Sequence, residues 1–277
     1  MKIRDLLAVA TERIGGDTAR VDAELLLANA LHASRAQLYA WPEREVDPAQ
    51  HAEFDRLVSA RARGEPIAYL TGRREFWSLD LAVTPDVLIP RHETELLVEL
   101  ALARIAVDRE ASVADLGTGS GAIALAIARE RPRARVIATD ASAAALDVAR
   151  GNAARLGIRN VTFALGDWCA ALGADRFDVI VSNPPYVAAG DAHLGEGDLR
   201  FEPPAALSSG HDGLDAIRRI VADANAHLVA GGWLLLEHGW DQASQVRALL
   251  ERGGYSEVET FRDGAGHDRA TAARWRA

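Results

Sequence analysis

Residues 183–186, Asn-Pro-Pro-Tyr, directly follow the apolar, β-branched run "FDVIVS". Such a run reads as a buried strand, and here it stops on a side chain that needs hydrogen bonds. Pro184 and Pro185 remove two backbone N–H donors, so acceptors dominate what the strand end can present. A residue before a proline is pushed into an extended conformation, which fixes the direction of the Asn183 side chain. The Asn183 amide oxygen and the Pro184 carbonyl would together suit an incoming planar –NH₂ group, which has two protons to place. Tyr186 would add a flat face for a planar group to stack on. A strand end of this kind is suited to holding a planar amine or amide.

A second stretch, "DLGTGSGAIALAIA", ends another apolar run on Asp115 and continues through Gly117, Thr118, Gly119, Ser120 and Gly121. Glycines let a backbone turn tightly and approach a ligand closely, and the helix that opens at once aims its N-terminal amides at that ligand. Asp140 lies about twenty residues on, where an acidic side chain accepts hydrogen bonds from ribose hydroxyls. Asp167, beside Trp168, ends a further apolar run. This pattern predicts an adenosine-containing cofactor and leaves NAD and S-adenosylmethionine level. Asn183–Tyr186 separates them, because a hydride-transfer enzyme has no use for a holder of planar –NH₂ groups. Together Asp115, Asp140, Asp167 and Asn183 are expected to form one polar rim at the carboxyl ends of successive strands, where open α/β sheets bind ligands.

The elements that must position these residues alternate. The runs "SVADLG", "ARVIATD", "VTFALGD", "FDVIVSN" and "GWLLLEHG" are separated by helical stretches beginning near Gly121, Ser142, Trp168, Asp212 and Gln242. Near-continuous Val/Ile/Leu strands alternating with helices predict a doubly wound, mostly parallel α/β sheet of Rossmann-like type, with helices on both faces. The tail "YSEVETFRDGAGHDRATAARWRA" allows two more strands joined by a loop, which makes seven. Residues 1–72 read differently. Leu6, Leu7, Val9 and Ile14, then Val21, Leu25, Leu26 and Leu31, then Phe54, Leu57 and Val58 fall at helical spacing, with Asp17 and Asp47 as helix starts. Residues 73–88 alternate at Leu79, Leu81 and Val83 and read as a hairpin or linker, and a helix follows from about Glu93 to Val107. The expected organisation is a helical domain over 1–72, the linker over 73–88 and the cofactor-binding domain over 89–277.

Composition narrows the partners. The chain of 277 residues has a formal net charge of −9, which argues against a protein that coats nucleic acid. Cys169 is the only cysteine, so no internal disulfide can form, and a reducing cytoplasm is expected. The eight histidines are scattered, without a spacing that would make a metal site. The N-terminus does not read as a signal peptide, and no apolar run is long enough to span a membrane. His238 is read as a structural histidine and Cys169 as packing. The arginines at 61, 63, 73 and 74 are read as a mostly solvated surface.

"DLGTGSGAIALAIA", "TDAS" and "SNPPY" resemble the class I S-adenosylmethionine-dependent methyltransferases that modify exocyclic or amide nitrogens. "EPIAYLTGRREFWSLDLAVTPDVLIPRHETELLVE" and "LLLEHGW" are similar to the peptide chain release factor N5-glutamine methyltransferases, the HemK/PrmC family, over almost the whole chain. One departure is His92, where that family usually has the second proline of "PRPETE". The resemblance implies methyl transfer to the glutamine of the Gly-Gly-Gln motif in class I release factors. It implies that Gly117–Gly121 hold the methionine end of S-adenosylmethionine, that Asp140 binds the ribose and that Asp167 and Trp168 flank the adenine. Asn183, Pro184, Pro185 and Tyr186 would bind the substrate glutamine, with Asn183 also touching the cofactor. The helical domain would help to dock the release factor. A monomer without metal, membrane attachment or direct nucleic-acid binding is expected. The alternative is a nucleic-acid methyltransferase acting on adenine N6, which needs a basic groove that this acidic chain does not show.

Overall fold

The computed structural model describes residues 1–276. Residues Met1–Arg73 and the short segment Gly195–Phe201 make one compact unit, and the rest of the chain makes a second.

The first unit is helical: α1 (Ile3–Ile14), α2 (Ala19–Leu31), α3 (Arg35–Ala40), α4 (Pro48–Ala62) and α5 (Ile67–Thr71). Its core is built from Ile3, Leu6, Leu7, Leu26, Leu27, Phe54, Leu57 and Val58. Asp47 caps α4 as its spacing predicts: its carboxylate accepts from the Ala49 N–H, and Pro48 fills the first helical position. Asp17 does not start α2. Thr18 precedes the first turn, and its hydroxyl turns to Asp22 (3.1 Å). Val9 and Val21 also leave the expected pattern, since both are exposed. Arg61 is no solvated charge either. It reaches inward to the buried Asp22 at 2.8 Å and to the Glu65 carbonyl at 3.1 Å.

The second unit opens with the hairpin strands β1 (Arg73–Phe76) and β2 (Leu79–Ala82), followed by a 3₁₀ turn, His92–Thr94, and α6 (Glu95–Arg104). Seven further strands form one sheet: β3 (Ser112–Leu116), β4 (Arg135–Asp140), β5 (Val161–Leu165), β6 (Phe177–Ser182), β7 (Leu228–Glu237), β8 (Tyr255–Arg262) and β9 (Asp268–Trp275). Their order is β5-β4-β3-β6-β7-β9-β8. β3 to β7 run parallel, while β9 is antiparallel to β7 and to β8. The helices are α7 (Ala122–Glu130), α8 (Ala143–Leu156), the single turn α9 (Pro204–Leu207), α10 (Asp215–Ala224) and α11 (Ala243–Arg252). Leu97, Ile123, Leu125 and Ile127 pack on one face of the sheet. Ile217, Ile220, Val246 and Leu250 pack on the other. With both faces covered, β3 and β6 bury nearly every side chain, which explains their largely apolar sequences.

Two helix starts moved. The stretch at Trp168 makes only a 3₁₀ turn, Trp168–Leu172, and the helix expected at Asp212 begins at Asp215. Asp212 is instead held by Arg218, and its Oδ1 accepts from the Leu214 N–H just ahead of the helix. Among the described residues no helix is long and apolar enough to cross a membrane.

Candidate active site

The sheet folds outward from β3 to β4 and β5, then returns to place β6 on the other side of β3. Strand order therefore reverses between β3 and β6, which is where open α/β sheets leave a crevice. The parallel register sets Leu116 opposite both Thr139 and Ser182. Gly117, Asp140 and Asn183 consequently leave three adjacent strands at one level. They line a cavity of about 420 Å³, together with Thr118, Gly119, Ser120, Asp167, Trp168 and Pro185. That volume lies within the range that small-molecule ligands occupy.

The loop from β3 to α7 turns through the left-handed region at Gly117 (φ +72°), Gly119 (+55°) and Gly121 (+85°). A Cβ on Gly117 would stand 3.1 Å from the Trp168 ring, while one on Gly119 would meet only open space. Gly121 serves packing instead. Its missing Cβ lets Leu125 and Ala149 approach, and it is not part of the cavity wall. Asp115 does not join the polar rim. It is fully buried beneath the loop, where Oδ2 accepts from the Thr118 hydroxyl (2.7 Å) and the Ala124 N–H (3.2 Å). Burial pushes its carboxyl up to about 7, against the pull of those two hydrogen bonds.

Asp140 does reach the cavity. Its Oδ2 accepts from the Gly119 N–H (2.9 Å) and its Oδ1 from the Ser142 N–H (2.8 Å). A carboxylate has about four lone-pair sites, so two remain for a ligand. Asp167 is half-exposed and paired with Arg219. Trp168 takes a left-handed backbone (φ +49°) that brings its ring against Gly117.

The Asn183 amide nitrogen donates to the Thr94 hydroxyl at 3.1 Å. Asn183 and Thr94 both line the cavity, and the Asn183 amide oxygen takes no part in that bond. Pro184 is buried behind the wall. Tyr186 follows Pro185 at the cavity wall and is half-buried. One side of its ring packs on the hydrophobic core, and its hydroxyl donates to Glu237 Oε1 (3.2 Å). Glu237 lies at the end of β7 and is 1% exposed. Burial pushes its carboxyl up to about 7, opposed by the Thr94 hydroxyl, the Arg269 charge and the Tyr186 hydroxyl.

Several supporting residues carry no local signal in the sequence. Asn152 on α8 donates to the Ala82 and Ser120 carbonyls (2.9 Å each) and accepts from the Ala82 N–H (2.7 Å), tying β2 to the glycine loop. Glu202 is buried, accepts from the Ile89 N–H and pairs with Arg91 on the cavity wall. His238 is structural, as expected. Nδ1 must carry the proton because it faces the Gly239 carbonyl (2.8 Å), so Nε2 accepts from Thr271 (2.8 Å). Cys169 is buried, and its thiol is pushed up to about 12, away from reactivity. His92 is exposed at the head of its 3₁₀ turn. Arg74 donates to the Pro90 carbonyl. Among the described residues no group of three or more His, Cys, Asp or Glu is placed to hold a metal.

The strand order and the glycine loop are those of the Rossmann-like cofactor-binding sheet expected from the sequence. Residues 92–196 match the family model of the methyltransferase small domain, and residues 5–72 match that of the PrmC N-terminal domain. Two solved structures share the fold. One is a Pyrococcus furiosus methyltransferase (TM-score 0.54, 20% identity, 72% of this chain and 90% of that one). The other is the Thermus thermophilus 16S rRNA N2 G1207 methyltransferase in complex with AdoMet and guanosine (TM-score 0.55, 21% identity, 74% and 50%). Sequence relatives are nearer. The release factor glutamine methyltransferase of Xylella fastidiosa strain Temecula1 is 57% identical over 97% of this chain and 96% of its own. That of Pseudomonas aeruginosa is 52% identical over 93% of each. That of Coxiella burnetii is 51% identical over 93% and 92%. The chain belongs to the release factor glutamine methyltransferase family.

Proposed function

We propose that this protein transfers a methyl group from S-adenosylmethionine to the side-chain amide nitrogen (N5) of the glutamine in the Gly-Gly-Gln motif of class I release factors. The observation that carries this reading is the direction of the Asn183 amide. One N–H of that amide is engaged by Thr94, which leaves the oxygen free to serve as an acceptor in the cavity that Asn183 shares with the glycine loop. An acceptor there suits the N–H bonds of a glutamine amide.

The cavity fits the cofactor. Gly119 leaves open space where a side chain would stand, Asp140 keeps lone pairs for ribose hydroxyls, and the Trp168 ring lies across from Gly117. Gly117–Gly121 would hold the methionine end, and Asp167 with Trp168 would flank the adenine. When bound, S-adenosylmethionine supplies a methyl group already activated on a sulfonium. Asn183 then has two tasks. It aligns the substrate nitrogen with the cavity, and it stabilises positive charge developing on that nitrogen through a fixed, preorganised acceptor. Asn183 sits on a backbone made rigid by Pro184 and Pro185, which keeps that acceptor in place. Residues 1–72 are assigned to docking the release factor, and the same reading sets the protein in the cytoplasm, where release factors act.

The test is labelled methyl transfer from S-adenosylmethionine to a purified class I release factor. Label is expected on the glutamine of the Gly-Gly-Gln loop and lost when that glutamine is replaced. Label that persists on the glutamine-less factor, or that goes instead to duplex DNA, overturns the proposal.

A further inference from the structure

We propose that Thr94 and Glu237 form a directional hydrogen-bond relay that decides which end of the Asn183 amide faces the substrate. The inference rests on the reading of Asn183 as the acceptor for the substrate amide. The two ends of an asparagine amide are nearly the same shape, yet one accepts and the other donates. An –NH₂ substrate needs the oxygen forward; a flipped Asn183 would set donor against donor. Neither the strand β6 nor the two prolines distinguish these orientations.

Thr94 does distinguish them, but only if its own hydroxyl is directed. That hydroxyl carries one proton and two lone pairs. It could donate to the Asn183 oxygen, which would turn the –NH₂ toward the cavity, or accept from the Asn183 nitrogen, which is the arrangement found at 3.1 Å. Thr94 is 4% exposed, so water does not make the choice. Glu237 does. Its carboxylate form only accepts, and the Thr94 hydroxyl, the Arg269 charge and the Tyr186 hydroxyl all favour that form against burial. Glu237 Oε1 accepts from the Tyr186 hydroxyl at 3.2 Å, whereas Oε2 is buried without a hydrogen-bond partner. An orphaned acceptor is costly inside a protein, so a rotatable hydroxyl beside it turns its proton there. With that proton committed to Glu237, Thr94 presents a lone pair to Asn183.

The relay therefore runs from the Asn183 N–H to Thr94, and from the Thr94 O–H to the Glu237 carboxylate, which Tyr186 also donates to. The Tyr186 ring is held by this same carboxylate, and the Gln242 side chain fixes its carbonyl at 3.0 Å. Arg269 supplies the positive charge that favours ionised Glu237 and is itself paired with Asp263 at 3.1 Å. Thr94 and Glu237 are positioning residues: they act through Asn183.

The experiment uses the full chain, a purified release factor and labelled S-adenosylmethionine. Thr94→Val keeps the shape and removes the hydroxyl. It is expected to lower kcat for methyl transfer about ten- to a hundredfold, the scale of a misaligned reacting group. S-adenosylhomocysteine affinity, read by calorimetry, is expected to change less than about twofold, as befits an interaction made in the transition state. Thr94→Ser restores the hydroxyl and is expected to recover most of the rate. Glu237→Gln offers Thr94 a donor as well as an acceptor and is expected to behave like Thr94→Val. Should Glu237→Gln fail to fold, the Thr94 pair decides alone. Wild-type kcat in Thr94→Val, or a loss that Thr94→Ser does not recover, overturns the relay. Asn183→Ala in the same assay separates the two levels of argument. If it keeps full activity, the amide-holding reading itself fails; if it is inactive while Thr94→Val is normal, only the relay fails.

Discussion

The Asp140 carboxylate accepts a hydrogen bond from the Gly119 backbone N–H at 2.9 Å, across the mouths of two neighbouring strands. One acid thus has two duties, bracing the glycine loop and facing the cavity. Asp140→Ala removes both. Hydrogen bonds to a charged group contribute on the order of 1.5–3 kcal/mol, so S-adenosylmethionine affinity is expected to fall roughly tenfold to a hundredfold. Calorimetry on the folded variant checks this, and unchanged affinity would remove Asp140 from the cofactor site.

Two glycines should respond to alanine in opposite ways. Gly117 has φ +72°, and a Cβ there would press on Trp168 at 3.1 Å. Gly117→Ala is expected to destabilise the protein by about 1–2 kcal/mol through the left-handed backbone alone, and to weaken cofactor binding as Trp168 shifts. Gly151 sits exposed within α8, and nothing stands within 4 Å of its added Cβ. Gly151→Ala is expected to stabilise the fold by about 0.5–1 kcal/mol with cofactor affinity unchanged. Thermal unfolding of the two variants side by side reads the difference. A stabilised Gly117→Ala would contradict the loop geometry.

The elements were legible in the sequence where local chemistry decides them. Apolar, β-branched runs marked β3 to β7, most densely in β3 and β6, where both faces of the sheet are covered, and Asp47-Pro48 marked the start of α4 because cap and proline act within one turn. Gly117, Asp140, Trp168 and Asn183 were legible as candidates because each ends or follows a strand. What the sequence hid was set by distant partners. Nothing near Tyr186 says that its hydroxyl will be drawn to Glu237, 51 residues on. Nothing near Asp115 says that it turns under the loop rather than outward. Thr94 and Asn152 are ordinary helix-start and helix residues until the fold brings them to Asn183 and Ser120.

Asp115 gives a pH signature. Its carboxyl is raised by burial from an ordinary 3.8 to about 7 in the folded protein. The folded state therefore holds a proton that the unfolded state releases above its own, lower pKa. This group's contribution to stability is fully present below about pH 4 and is lost as the pH rises through about 7. Asp115→Asn removes the titration while keeping an acceptor for Thr118 and Ala124. Wild-type stability relative to this variant should fall between about pH 4 and pH 7 and level off above, by up to about 4 kcal/mol at 1.36 kcal/mol per unit. Denaturant unfolding across that range measures it. A flat difference, or one that rises with pH, would show that the Asp115 carboxyl is not raised.

Asn152 should link the hairpin to the cofactor loop. Both of its N–H protons and its oxygen are used, on the Ala82 and Ser120 carbonyls and on the Ala82 N–H, and the side chain is wholly buried. Asn152→Ala leaves those backbone groups without their partner, and each unsatisfied buried group costs about 1–3 kcal/mol. A loss of about 2–4 kcal/mol is expected once the hairpin relaxes enough for water to reach some of them. The consequence should extend beyond stability. Ser120 lies in the loop whose next-door residue, Gly119, is held by Asp140, so freeing the Ser120 carbonyl loosens one side of a loop braced from two. S-adenosylhomocysteine binding is expected to weaken and to become more temperature-dependent, since the ligand must then order a loop that Asn152 had ordered already. Calorimetry at two temperatures, on protein shown to be folded, gives both quantities. A variant that loses stability but binds S-adenosylhomocysteine as the wild type does would confine Asn152 to anchoring β2 and leave Asp140 as the brace that matters for the loop.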